Sequence, residues 1–193
     1  MRRLTVFCSS RVPSNDKFFV AAKELANELV NRSWRLVYGG AKEGLMGFLA
    51  DAVIERGGEV EGHLPLSVSG LTEETAHPNL TELVYAENYS SRKMKMIERG
   101  DAFMVMPGGF GTLDEVMEVV TLKMMGLFDK PILFINVDSF WNNLLQVFQD
   151  LRAQGLASPD CLHLFEVYST IQDAFKHLDG VFNAWACTPT GKR

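Results

Sequence analysis

At 193 residues, 47% of them hydrophobic and 22% charged, the chain has the composition of an ordinary globular protein and the length of one well-buried domain. Its net charge of −5 argues against a general nucleic-acid binder, and no apolar run reaches the ~18 residues of a membrane span. The apolar run after Arg2-Arg3 is too short for a signal peptide, and Cys8, Cys161 and Cys187 match neither a disulfide framework nor a zinc motif, so a reducing cytoplasm is the simplest compartment.

In chain order, residues 4–8 read as a short apolar strand, and residues 16–32 as a helix with periodic Phe18, Ala22, Leu25 and Leu29. A strand at 35–38 ends in Gly39-Gly40, a helix at 45–56 is closed by Gly57-Gly58, and residues 60–64 form a third strand. Segment 65–79 is loop-like, 80–85 a strand and 90–99 a helix. The apolar run 102–106 then enters a glycine-rich turn followed by a helix at 113–127. A strand at 131–137, a helix at 140–154, a small strand at 165–168 and a helix at 171–178 complete the order. The strands lack polar alternation, as when both faces are covered. The expected architecture is a single doubly wound, Rossmann-like α/β domain over residues 1–187 with a mostly parallel sheet, and a frayed tail at 188–193.

Ligands of such sheets bind beyond the carboxyl ends of the strands, where Ser9-Ser10, Gly39-Gly40, Gly108-Gly109 and residues 90–93 all fall. The glycine turn is the most telling of these. It is neither a Walker A loop nor a dinucleotide fingerprint, because Gly-Lys-Ser/Thr and the third fingerprint glycine are missing. A strand feeding a helix start through glycines presents free N–H groups and a positive dipole end, a cradle for phosphate. Its plain alternative is a structural strand-to-helix turn. Likewise, Thr112 followed by Glu115 reads either as a capping box or as a carboxylate placed beside the anion site, with Glu118 one turn further on. Arg92 and Lys93 either contact a phosphate or purine or belong to a solvated face, the reading preferred for Lys95. Gly47 reads as close packing, Met124 and Met125 as core or pocket lining, and His63, His77, His163 and His177 as structural, with no metal-ligand spacing.

Pro107-Gly108-Gly109-Phe110-Gly111-Thr112-Leu113-Asp114-Glu115 matches the PGGxGTxxE pattern of the LONELY GUY (LOG) nucleoside-monophosphate phosphoribohydrolases, often labelled lysine decarboxylases. Arg92-Lys93, Tyr38-Gly39-Gly40, Gly44-Leu45-Met46-Gly47 and Ala76-His77-Pro78 recur in the family's order, and the resemblance runs from Val6 to about Leu145. It implies hydrolysis of the N-glycosidic bond of a cytokinin riboside monophosphate or AMP to free base and ribose 5-phosphate. Arg92 and Glu115 would be the catalytic pair. Glu74, Lys93, Gly108, Gly109, Phe110, Gly111, Thr112, Leu113, Asp114 and Thr121 would line the substrate site, with Ser9, Ser10, Gly39, Gly40 and Met46 as further contacts. The resemblance also implies a homodimer with the site near the subunit interface, and no metal or organic cofactor.

The chain departs from the family pattern at Ser9, Ala41, Ser90 and residues 121–126, changes that bear on the base more than on the reaction. Two rival functions share parts of the pattern. A non-catalytic nucleotide or cofactor carrier would use the same phosphate cradle. A pyridoxal-phosphate decarboxylase would need a Schiff-base lysine, and no lysine context stands out as one.

Overall fold

The computed structural model describes residues 1–66 and 75–187. The chain forms seven strands: β1 (Arg3–Phe7), β2 (Arg35–Tyr38), β3 (Val60–Pro65), β4 (Glu82–Ala86), β5 (Ala102–Val105), β6 (Ile132–Ile135) and β7 (Glu166–Tyr168). Between and after them lie α1 (Asp16–Asn31), α2 (Gly44–Ile54), α3 (Tyr89–Arg99), α4 (Phe110–Met124), α5 (Asn142–Ala153) and α6 (Ile171–Cys187). All strand pairs are parallel, in the order β4-β3-β2-β1-β5-β6-β7.

Two apolar layers cover the sheet, and successive strand residues feed opposite ones because side chains alternate along a strand. Leu4 and Val6, Leu36 and Tyr38, and Met104 pack with α1, α2 and α6. Phe7, Val37, Phe103, Val105 and Phe134 pack with Met96 of α3, Val116 of α4 and Phe148 of α5. Burial on both faces is why the strands read as unbroken apolar runs. The chain starts at the centre, winds outward to β4 and returns to β5 beside β1, so the switch point lies between the carboxyl ends of β1 and β5. There the N–H of Ser9 donates to the carbonyl of Pro107 at 3.2 Å, joining the first turn to the glycine turn.

The departure that bears on the site is at α4, which begins at Phe110 rather than at residue 113. Its N-cap is Gly109, with no side-chain cap, and Thr112 is buried inside the first turn. The pattern Thr112 to Glu115 is therefore not a capping box, and Glu115 lies in the second turn. The last helix, α6, runs on to Cys187 rather than ending at residue 178, and α4 stops at Met124 rather than at 127; elsewhere the ends shift by one or two residues, as at α2 (Gly44–Ile54) and β4 (Glu82–Ala86). The expected tail, 188–193, lies outside the described residues.

Gly47 has the packing role expected of it, since a Cβ there would lie 1.8 Å from the carbonyl oxygen of Lys42. Backbone cannot yield as a flexible side chain does, so Gly47→Ala should destabilise the fold by about 2 kcal/mol or more. Urea unfolding measures this; a loss below about 0.5 kcal/mol would show that the turn relaxes freely.

Candidate active site

Three helix starts gather at the carboxyl edge around the switch point, and their capping separates them. In α3 the Asn88 side chain accepts from the Ser91 N–H at 2.9 Å, and Ser91 Oγ accepts from the Asn88 N–H at 3.0 Å. In α2 the N–H groups of Leu45 and Met46 donate to the carbonyls of Arg11 and Ser9 at 3.3 and 3.1 Å. The second glycine cluster is thus already satisfied by the protein's own loop. At α4, by contrast, no side chain caps the start, and the first backbone bond runs from Leu113 N–H to the Gly109 carbonyl. The N–H groups of Phe110, Gly111 and Thr112 have no acceptor within the helix. Among the described residues a Cβ on Gly109 or Gly111 would meet nothing within 4 Å, so their packing does not explain these glycines; a ligand approaching the backbone would. At Gly108 packing does explain the glycine, since a Cβ would come within 2.1 Å of Thr112 Oγ1.

Beside this helix start lies Arg92, the one buried Lys or Arg among the described residues, 6% exposed. Its Nε donates to the His63 carbonyl at 2.8 Å and its Nη2 to the Gly39 carbonyl at 3.1 Å. These carbonyls lie at or near the carboxyl ends of β3 and β2, so the sheet edge itself holds the guanidinium. Gly39 makes room for it: a Cβ would stand 2.2 Å from Nη2. The remaining nitrogen, Nη1, lies 3.7 Å from Glu115 Oε1, whose side chain is largely buried. The pair is close enough for strong attraction and too far apart for a hydrogen bond.

Lys93, one residue further along α3, is held by Asp114 at 2.9 Å and Glu118 at 2.8 Å. Burial alone would lower its pKa, but the hydrogen bonds to Glu118 and Asp114 outweigh this and raise it, so the amine stays protonated. Lys93 borders an open groove of ≈ 590 Å³ together with Leu113, Asp114, Met117, Glu118, Thr121 and Leu122. Lys95, read as a solvated charge, instead donates to the Tyr85 carbonyl at 2.9 Å and ties α3 to β4. Under Glu115 sits Cys8, whose thiol is pushed far up by burial and then by the Glu115 charge; it is a neutral filler, not a nucleophile.

Arg92, Lys93, Asp114, Glu115, Leu113, Thr121 and the first turn of α4 are therefore brought together around one edge. The other sequence candidates have different placements. Ser9 Oγ is engaged within its own turn, accepting from Arg11 N–H at 3.1 Å and donating to the Arg11 carbonyl at 3.0 Å, and the backbone of exposed Ser10 packs against Gly44. Gly40 is buried and gives its carbonyl to the His77 N–H at 3.0 Å, while Met46 is buried with its sulfur close to Gly39. Thr112 offers its N–H rather than its buried hydroxyl. Glu74 lies outside the described residues. Sequence reasoning missed the buried pair Glu61 and His63 behind Arg92. Its only signal was a carboxylate and an imidazole two apart in a strand otherwise read as apolar. No group of three or more His, Cys, Asp or Glu is placed to hold a metal ion among the described residues.

The family model described as "Possible lysine decarboxylase" matches residues 46–178. The cytokinin riboside 5'-monophosphate phosphoribohydrolase LOG3 of Arabidopsis thaliana is 35% identical over 178 residues, 92% of this chain and 82% of that protein. The probable enzyme LOGL9 of Oryza sativa subsp. japonica is 40% identical over 164 residues, 85% of this chain and 71% of that protein. The chain belongs to the LOG family. Among solved structures, the molybdenum cofactor carrier protein of Chlamydomonas reinhardtii superposes with a TM-score of 0.71 at 18% identity, covering 94% of this chain and 98% of that one. The molybdenum cofactor binding protein of Rippkaea orientalis gives 0.71 at 15% identity, covering 94% and 97%. At such identities the likeness establishes the Rossmann-like fold that LOG proteins share with these carriers, and nothing of their ligand.

Gly39→Ala should evict the guanidinium from its two carbonyls and cost about 1–3 kcal/mol, whereas Gly109→Ala should cost about 1 kcal/mol or less. Urea unfolding of both variants compares the two positions. Equal losses would mean that Arg92 is not wedged against Gly39.

Proposed function

We propose that this LOG-family protein hydrolyses the N-glycosidic bond of a purine nucleoside 5'-monophosphate, AMP or a cytokinin-type riboside monophosphate, releasing free base and ribose 5-phosphate. One observation carries the reading: an uncapped helix start with open space above its glycines stands next to a largely buried Arg92–Glu115 pair. The family relationship supports it, since relatives at 35% and 40% identity are named for this reaction.

In this scheme the N–H groups of Phe110, Gly111 and Thr112 hold the 5'-phosphate, and that remote binding energy positions the bond to be broken. Breaking a ribosyl C–N bond builds positive charge at the anomeric carbon and negative charge on the departing base. Glu115, fixed and sheltered from solvent, faces the cationic side, stabilising the ribosyl cation or orienting the attacking water; Arg92 faces the base or clamps the nucleotide. A single carboxylate suffices because a purine leaves far more readily than a sugar alcohol. The groove beside Lys93, Leu113, Asp114 and Thr121 is the place for the base.

A decarboxylase would need a neutral lysine able to form an imine, and Lys93, clamped between two carboxylates, is held in the wrong protonation state. A carrier has no use for an arginine–carboxylate pair beside its anion site. The quaternary reading is a homodimer joined across α4. Phe110, Met117 and Met124, spaced seven residues apart on one helical face, are 91%, 37% and 54% exposed, and Met117 lines the groove. Among the described residues the free thiols of Cys8 and Cys161 fit a cytoplasmic setting.

Release of ribose 5-phosphate from a panel of nucleoside monophosphates tests the function, with AMP expected to exceed adenosine in kcat/KM by at least ~10²-fold, because the phosphate anchors the substrate. Similar values would remove the phosphate cradle, and tight binding without turnover would return the carrier. Glu115→Gln should lower kcat by ~10²–10³ with a folded, normally melting protein. Near-normal turnover would leave the mechanism without its carboxylate.

A further inference from the structure

Beneath Arg92 lies an ionic chain for which the reaction has no direct use. Glu61 and His63 stand two apart on β3, so both face the same layer, the one covered by α3. Both are fully buried. His63 Nε2 lies 2.9 Å from Glu61 Oε1, and Arg99 forks onto the carboxylate with Nε at 2.6 Å and Nη2 at 2.9 Å. Burial alone would raise the Glu61 pKa, yet hydrogen bonds from Arg99 and His63 bring it below the usual carboxylate range, so the group stays ionised. Burial and the flanking cations Arg99 and Arg92 in turn hold the imidazole below its usual range against the pull of Glu61, so the ring is neutral at pH 7. An ionised carboxylate only accepts, which makes Nε2 the protonated nitrogen. The other nitrogen, Nδ1, is buried with no hydrogen-bond partner among the described residues.

The cost of this arrangement argues that it does something. Burying an ion pair in a sheet is seldom the most stable choice, and an apolar pair would fill the same layer without a stranded acceptor. What the chain achieves is geometric. Arg99 and Arg92 lie seven residues apart, two turns along α3 and on one face. Arg99 grips the Glu61 side chain, Glu61 grips the His63 ring, and the carbonyl of that same His63 receives Arg92 Nε at 2.8 Å. α3 is thereby clipped to β3 at both ends in a closed circuit of named contacts.

We propose that Glu61 and His63 are positioning residues: anchored by Arg99, they fix the His63 carbonyl and α3 so that Arg92 faces Glu115. This rests on the reading of Arg92 and Glu115 as the reacting pair, and its test carries a readout that does not. Arg92 Nε–H, buried and bonded to a carbonyl, gives a slowly exchanging 15N–1H signal, assigned by its disappearance in Arg92→Lys. Glu61→Gln removes the charge while keeping the shape, and Arg99→Lys keeps the charge while removing the fork. In either variant the Arg92 Nε–H should exchange at least ~10-fold faster, well beyond the change in neighbouring main-chain amides. With AMP as substrate, kcat should fall ~10-fold with KM within about twofold, as when an interaction made only in the transition state is weakened. In an Arg92→Lys background, Glu61→Gln should change kcat by less than about twofold, because the residue it positions is gone.

Unchanged exchange at Arg92 in a folded Glu61→Gln or Arg99→Lys protein overturns the proposal. So does an equal loss of kcat with and without Arg92, which is what a purely structural role gives. If Glu61→Gln does not fold, Arg99→Lys decides alone. A wild-type protein that hydrolyses no nucleotide removes the functional reading, and the exchange measurement still decides whether Glu61 and His63 hold Arg92.

Discussion

A guanidinium taken out of water must find acceptors for its N–H groups, and Arg92 finds them in the carbonyls of His63 and Gly39. Much of the local architecture follows from satisfying that one cation. Parallel strands supply carbonyls at their carboxyl ends, and β2 and β3 supply these two. Residue 39 has no Cβ because one would stand where Nη2 stands. α3 must lie across the same edge to deliver the side chain, and Glu115 of α4 must come near enough to balance its charge. With two nitrogens spoken for, the third is aimed rather than free to wander, and such preorganisation is what a reacting centre requires.

The same edge carries two glycine-rich helix starts with different fates. The loop of Ser9 and Arg11 folds back onto α2 and uses up its N–H groups, which welds the first strand to the second helix. At α4 that satisfaction is withheld, whereas Asn88 caps α3 and the carbonyls of Ser9 and Arg11 serve α2. An unsatisfied helix start costs stability unless solvent or a ligand completes it, and this one stands at the switch point between β1 and β5, where the proposed function seats the phosphate.

The sheet and its winding were legible because apolar strands alternate with amphipathic helices over nearly the whole chain, and the glycine turn was legible because few other contexts need so many glycines between a strand and a helix. The start of α4 was not. Phe110-Gly111 has poor helix propensity and Thr112 is a common cap, so local preference pointed to a later start, while burial of Thr112 against Gly108 settled an earlier one. Glu61 escaped notice, and His63 was read as structural without its partner, for a related reason. A charged residue in a short strand reads as a solvent-facing position, and it is the meeting of β3 with Arg99 of α3, with Arg35 and Arg3 on the neighbouring strands, that makes a buried carboxylate tenable. The likeness to the LOG family named Arg92 and Glu115 but not what holds them.

The central claim, that the first turn of α4 receives the phosphate while Arg92 and Glu115 flank the scissile bond, is most directly tested by a crystal structure of Glu115→Gln with AMP bound. The account predicts phosphate oxygens within hydrogen-bond distance of the N–H groups of Phe110, Gly111 and Thr112, and the anomeric carbon between residue 115 and the Arg92 guanidinium. A phosphate seated at the start of α2 or elsewhere on the sheet edge, or a ribose turned away from residue 115, would contradict it.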